Sequence, residues 1–296
     1  MNPALDAGRR GSLGATLRAV ALLGPGLPDW PTAAPLLRDP SRWLRVPTVV
    51  PSPARLPPNE RRRAGWVVKA SVAVADAAAQ AAGIAPTGLP TVFTSSTGDP
   101  ANCHAMCEAL AAAERLVSPT RFTNSVHNVA AGYWHIATQS MRASTSLGAF
   151  DASLSAGLLE AAAQVASHAV PVLLVACDVP YPEPLHGVRA LSDTLALAMV
   201  LAPAVAPGPA GTAGARGDRE PAAPPREPGR GRSLHLRLAG DERPTRCSHP
   251  ALEQLRTQIP AARALPLLQA LAGDGAARVV LEGLDGCALA VEVDAA

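Results

Sequence analysis

Lysine is almost absent from this chain of 296 residues: Lys69 is the single lysine among 26 basic residues. A Schiff-base or phosphate-loop lysine therefore has one candidate, and its apolar neighbours Val68 and Ala70 suit neither role. Aromatic residues make up only 3% of the chain, which argues against base-stacking platforms. A formal charge of +2 lacks the broad basic face of a nucleic-acid binder. No run approaches the ~18 apolar residues of a membrane span. The segment Arg9-Arg10-Gly-Ser-Leu-Gly-Ala-Thr-Leu-Arg18 looks like the start of a signal peptide, but Arg18 interrupts the apolar part and Ala19–Leu23 is too short for its hydrophobic region. A cytoplasmic protein is expected. Five cysteines (Cys103, Cys107, Cys177, Cys247 and Cys287) are odd in number and irregular in spacing, unlike a disulfide framework. Cys103-His104-x-x-Cys107 has no second ligand pair, so no metal site is expected; packing on a helix face is the reading for both thiols. No cofactor is implied.

What is abundant is proline and glycine, 30 and 24 residues, set in a chain that is 48% hydrophobic. Thirteen of the 32 residues from 202 to 233 are Pro or Gly, and Val205 is the only large aliphatic among them. Such a segment cannot offset its ordering entropy by burial, so a linker is expected there. The division expected is a domain over 1–203, a disordered linker over 204–233, and a C-terminal extension over 234–296 that completes the same sheet.

Within the first part, Val20–Leu23 reads as a strand closed by Gly24-Pro25-Gly26. Residues 25–58 read as irregular, with Trp30 and Trp43 as packing anchors. A helix is expected from an Asn59 cap to Ala82, closed by Gly83, with Arg61-Arg62-Arg63 as a solvated face. Thr91–Thr94 reads as a strand, then come helices over about 101–117 and 129–139. The strand Ser144–Leu147 turns at Gly148-Ala149-Phe150-Asp151 into a helix over 152–168. Residues 171–177 and 194–201 read as buried strands. Beyond the linker, Leu234–Leu238 alternates like an edge strand. A broken helix follows over 250–272, then a hairpin of Val279–Leu281 and Ala288–Val293 around Gly283–Gly286. Apolar strands alternating with Ala-rich helices indicate a layered α/β fold.

A strand turning sharply into a buried helix presents a nucleophile to free N–H groups and to the helix dipole. The turn at 148–151 has that shape and contains no Cys, Ser or Thr. Ser146 and Ser153 flank it, where serine commonly caps or packs. His127 is open to two readings, a hydrogen-bonded His fixing a helix entry or an interface residue. Tyr133 and Trp134 suit an interface and a core equally well.

The runs Phe122-Thr-Asn-Ser-Val-His-Asn-Val-Ala-Ala-Gly-Tyr-Trp134 and Ser144–Ala161, with Asp178-Val-Pro-Tyr-Pro-Glu-Pro-Leu185, resemble the N-terminal half of β-ketoacyl synthases. Within that family they look most like the stand-alone chain length factors of aryl-polyene and related polyketide pathways. The resemblance runs from about Val20 to Pro203. It implies a thiolase-like layered α-β-α fold, represented here by its N-terminal half with a short C-terminal β/α extension, and usually a dimer. Active members place a Cys at the strand-to-helix turn and draw two His and a Lys from a second half. Here the Cys-equivalent falls between Gly148 and Asp151, none of which is a thiol, and residues 234–296 offer only His235 and His249.

The reading is therefore a non-catalytic subunit that pairs with an active ketosynthase through a surface built from about 122–160. It would help wall the pocket for a carrier-protein-bound acyl chain, in fatty-acid or polyketide biosynthesis. Phe150, Asp151, Ser153, His127, Asn128, Tyr133 and Trp134 are the pocket or interface candidates. Two rival readings stay open: an acyltransferase or condensing enzyme using Ser146, Ser153 or a displaced Cys, and a purely structural interaction module.

Overall fold

The computed structural model describes residues 11–204, 231–284 and 286–296. The greater part of the expected linker, residues 205–230, lies outside them. The backbone builds one mixed sheet of eight strands in the order β3-β2-β4-β5-β1-β6-β8-β7. These are β1 (Leu13–Leu23), β2 (Thr91–Thr94), β3 (Ser144–Leu147), β4 (Val172–Asp178), β5 (Leu195–Pro203), β6 (Arg232–Leu238), β7 (Ala277–Leu281) and β8 (Leu289–Val293). β2 runs parallel to both β3 and β4, and the other pairings are antiparallel.

Alternation along the strands sorts the core into two faces. In β4, Val172, Leu174 and Ala176 join one cluster, while Leu173, Val175 and Cys177 join the other. A strand buried on both faces reads as an unbroken apolar run, which is why β4 and β5 are plain in the sequence. β1 begins well before Val20, at Leu13, so residues 13–18 of the stretch resembling a signal peptide belong to it. Its register against β5 shifts between Leu17 and Ala19. The extra residue, Arg18, is a bulge, so Leu17 and Val20 face the same side although three positions apart.

One face is covered by helices α2 (Trp66–Ala82) and α4 (Val129–Thr138), the other by α1 (Trp30–Arg38), α5 (Ser153–His168), α6 (Pro250–Gln258) and α7 (Leu265–Ala272). Helix α3 (Pro100–Ala111) buries only Pro100. Three layers result, with the sheet in the middle.

Several expectations are corrected. The segment 25–58 contains α1, capped by Asp29, whose carboxylate accepts from the Thr32 amide at 2.7 Å. The helix expected from Asn59 breaks at Ala64–Gly65 into a short helix of six residues, Pro58–Arg63, and α2. Gly65 is extended at the break, and a Cβ there would stand 2.2 Å from the Asp99 carboxylate, which packs against it. Gly83 does close α2, at φ +64, as glycine does most cheaply. β6 is not an edge strand. It pairs with β1 on one side and β8 on the other, because Leu234 and Leu236 share a buried face with Val291 and Val293. The edges are β3 and β7. Cys103 and Cys107 are exposed, not packed.

Candidate functional site

β2, β3 and β4 are parallel, so their C-terminal ends lie together, and the loops that follow them converge. Ligand sites of open α/β sheets form at such ends. Here they are Ser95–Asp99 after β2, Gly148–Ala152 after β3, and Val179–Arg189 after β4.

The loop after β3 is a sharp elbow into α5. Phe150 occupies it with φ +50, a left-handed conformation that a bulky residue adopts only when its surroundings impose it. Among the four candidate positions only Phe150 carries this backbone. Ser153 holds the elbow closed. Its Oγ accepts from the Ala149 amide at 2.9 Å and stands 2.7 Å from the Phe150 carbonyl and 3.1 Å from the Ser95 carbonyl. It is 2% exposed, and its hydrogen bonds are those of a structural hydroxyl. Ser146 lies within β3, away from the turn.

Phe150 itself is 58% exposed. The Arg189 guanidinium stacks over its ring at 3.8 Å, a favourable placement of a cation on a π face. Arg189 also bonds the Asp151 carboxylate. Arg263 meets the same carboxylate at 2.7 Å and the Asp151 carbonyl at 3.1 Å. Behind Asp151 the network continues. Glu282 lies 3.3 Å from Arg263 and 3.9 Å from Arg256, and Glu253 grips Arg256 through two 2.7 Å bonds. That grip pulls the Glu253 carboxyl below the usual carboxylate range, against a smaller desolvation penalty. Asp151 is thus held by two cations and has no free role as a base.

The end of β4 contributes Asp178, 3% exposed. Burial pushes its pKa above the ordinary value, opposed by the Ser96 hydroxyl and amide, which donate at 2.7 and 2.8 Å. Cys177, beside it, is buried, and desolvation together with the Asp178 charge raises its thiol strongly. A thiol so shifted is inert as a nucleophile. Cys247 is likewise pushed up to about 12, chiefly by burial.

His127 is exposed. Its ring lies against the loops: a Cβ at Gly148 would stand 3.0 Å from Nε2, and one at Gly98 3.8 Å from Cδ2. Among the described residues it makes no hydrogen bond, so it does not fix the helix entry by one. Asn128 is exposed at the start of α4 without a side-chain cap bond. Tyr133 and Trp134 are core residues, 6% and 0% exposed, which leaves neither for an interface. His235 lies on β6, 3.7 Å from Asp294, and His249 packs edge-on against Trp43. Neither is among the residues gathered around the elbow. Between α2, α4 and the loop after β2 a cavity of about 20 Å³ is lined by residues that include His127, Cys177, Phe93 and Val67. It has room for about one water. Larger grooves, of about 400 Å³, lie beside β1 and α1.

Arg189, Arg263, Glu282 and Asp178 were not singled out from sequence. Asp178 opens a segment that carries the family resemblance, and Arg189 lies four residues beyond its end. Arg263 and Glu282 had no local signal, since their partners are far along the chain.

With this geometry in place, the fold is the thiolase-like one of ketosynthases. The chain belongs to the β-ketoacyl synthase N-terminal domain family, whose model matches residues 38–232. Comparison with curated proteins finds no match. Among solved structures, one similar chain comes from the complex of ketosynthase ApeO with its chain length factor ApeC from Xenorhabdus doucetiae. It is 18% identical with a TM-score of 0.68, covering 95% of this chain and 99% of that one. A second comes from AntDE:AntF, a type II polyketide synthase carrier protein in complex with its ketosynthase bound to the hexaketide. It is 10% identical with a TM-score of 0.67, covering 96% and 100%. A third comes from the ishigamide ketosynthase/chain length factor, 12% identical with a TM-score of 0.52, covering 65% and 59%. Among the described residues no helix is long and apolar enough to cross a membrane.

Proposed function

We propose that this chain is a non-catalytic, chain-length-factor-like subunit that pairs with an active β-ketoacyl synthase in aryl-polyene-type or related fatty-acid or polyketide biosynthesis. The observation that carries the reading is Phe150: a strained elbow backbone kept at φ +50 beneath a side chain that cannot bear an acyl group. Strain of about 1–3 kcal/mol persists only where the surrounding structure imposes it. Its retention without a nucleophile fits a scaffold whose chemistry has been lost and whose shape still serves. The rival nucleophiles fit poorly: Ser153 is buried and bonded, and Cys177 is buried with its thiol held protonated.

Two further features support a partner. β3 is a sheet edge, and an edge presents unpaired N–H and C=O groups that another strand can take up. Exposed apolar side chains cluster in the same part of the chain: Phe122, Val126, Ile136 and Met141. The cavity beside His127 and Cys177, at about 20 Å³, is too small for an acyl chain. In this reading the chain is received between subunits, with Phe150 and the Arg189 stacked on it forming part of the wall. Residues 1–203 would carry the pairing surface, with 234–296 as their extension.

The test is co-expression with a candidate ketosynthase and carrier protein, followed by product analysis. The two subunits are expected to purify together, and Phe150→Ala to shift the product length. An unchanged product distribution, or acyl transfer to the isolated chain, would overturn the reading.

A further inference from the structure

The motif Cys103-His104-x-x-Cys107 plays no part in the elbow. We propose that Cys103 and Cys107 form a dithiol redox pair that closes to an intrahelical disulfide on reaction with a small-molecule disulfide such as oxidised glutathione. Four observations carry this. Both thiols are exposed, while Cys177 and Cys247 are buried. They stand at i and i+4 of α3, on one face. The neighbouring row of the helix is taken by the His104–Glu108 pair at 3.3 Å, so His104 is engaged with Glu108 and not with either thiol. Finally, α3 buries only Pro100. A disulfide needs its Cβ atoms about 3.5–4.5 Å apart, against about 5–6 Å for i,i+4 neighbours on a helix. The helix must therefore distort by an ångström or two, and a helix so lightly anchored resists that weakly.

The step balances. One cysteine thiolate attacks a sulfur of oxidised glutathione, breaking its S–S bond, forming a mixed disulfide and expelling one glutathione thiolate. The second cysteine thiolate attacks the protein sulfur of that mixed disulfide and expels the other glutathione. Two electrons pass from the protein to the oxidant, and the two protons of the cysteines end on the two glutathiones. Burial, the Cys107 neighbour and Asp99 hold the Cys103 thiol above its ordinary value, so the reaction quickens as pH rises.

The experiment treats the folded full chain with oxidised glutathione, then maps peptides by mass without reduction. Cys287 is exposed and serves as the internal reference for a thiol that has no neighbour. It is expected to gain glutathione, while the Cys103–Cys107 peptide loses two hydrogens and carries none. The internal disulfide should exceed the mixed form by about tenfold or more, since a tethered thiol acts at millimolar effective concentration or above. In Cys107→Ser the mixed disulfide at Cys103 should accumulate instead. Cys177 and Cys247 remaining unmodified confirms that the fold is intact. A Cys103–Cys107 peptide that keeps glutathione in the unmutated chain, or stays reduced while Cys287 is modified, overturns the proposal.

Discussion

At the residue scale, the elbow is held by small groups. At Gly148 a Cβ would crowd His127 Nε2 at 3.0 Å and the Ser95 carbonyl at 3.2 Å. Gly148→Ala should destabilise the chain by about 1–3 kcal/mol, the usual range for overpacking. This would be seen as a lower urea midpoint at unchanged slope. An equal midpoint would show that the loops yield freely. Asp178 makes a pH prediction. Its folded pKa lies above the unfolded value of 3.8, so the native state binds the proton more tightly. Its contribution to stability then falls as pH rises from 3.8 through the raised folded value. Asparagine can still accept from Ser96 and does not titrate. The stability of Asp178→Asn relative to the unmutated chain should therefore grow with pH across that window and level off above it. A difference independent of pH in urea titrations would remove Asp178 as the source.

At the scale of elements, β3 and β6 show how position decides role. Both are short and partly polar. β6 became internal because its leucines meet those of β1 and the valines of β8, whereas β3 has β2 on one side only. Proline at Thr145 and, separately, at Ser146 tests the pairing role. Successive amides of a strand point to opposite sides, so one substitution removes a bond to β2 and the other an outward donor. The variant that keeps its thermal stability should lose co-purification with the ketosynthase; full recovery of the complex by both would rule out edge pairing. The Pro58–Ala82 region makes the same point. Its break falls at Gly65, where the Asp99 carboxylate, distant in sequence, leaves no room for a Cβ.

For the whole molecule, the family match ends at residue 232, yet the core does not. Leu234, Leu236, Leu252, Leu255, Ile259 and Leu265 belong to the same cluster as β4, β5 and α5, and Arg263 reaches back to Asp151. A chain ending at Pro203 would uncover β1 and most of that face. It should fail to show a cooperative thermal transition by circular dichroism, whereas the full chain should show one. A truncated chain with an equal melting temperature would mark the extension as dispensable.

The strands buried on both faces, the Ala-rich helices, the glycine stop at 83 and the absent thiol at the elbow were all legible in the sequence. Each depends on local pattern or residue type, and neither changes when the chain folds. The sequence could place the proposed nucleophile-equivalent position only within four residues. Choosing Phe150 required a backbone angle that tertiary packing imposes. Whether Tyr133 and Trp134 face core or partner, that Cys103 and Cys107 are exposed, and that Arg189 and Arg263 close on Asp151 were likewise decided by the fold. The two arginines reach Asp151 from 38 and 112 residues away, and spacing along a chain records neither contacts at that distance nor which side chains the folded core covers.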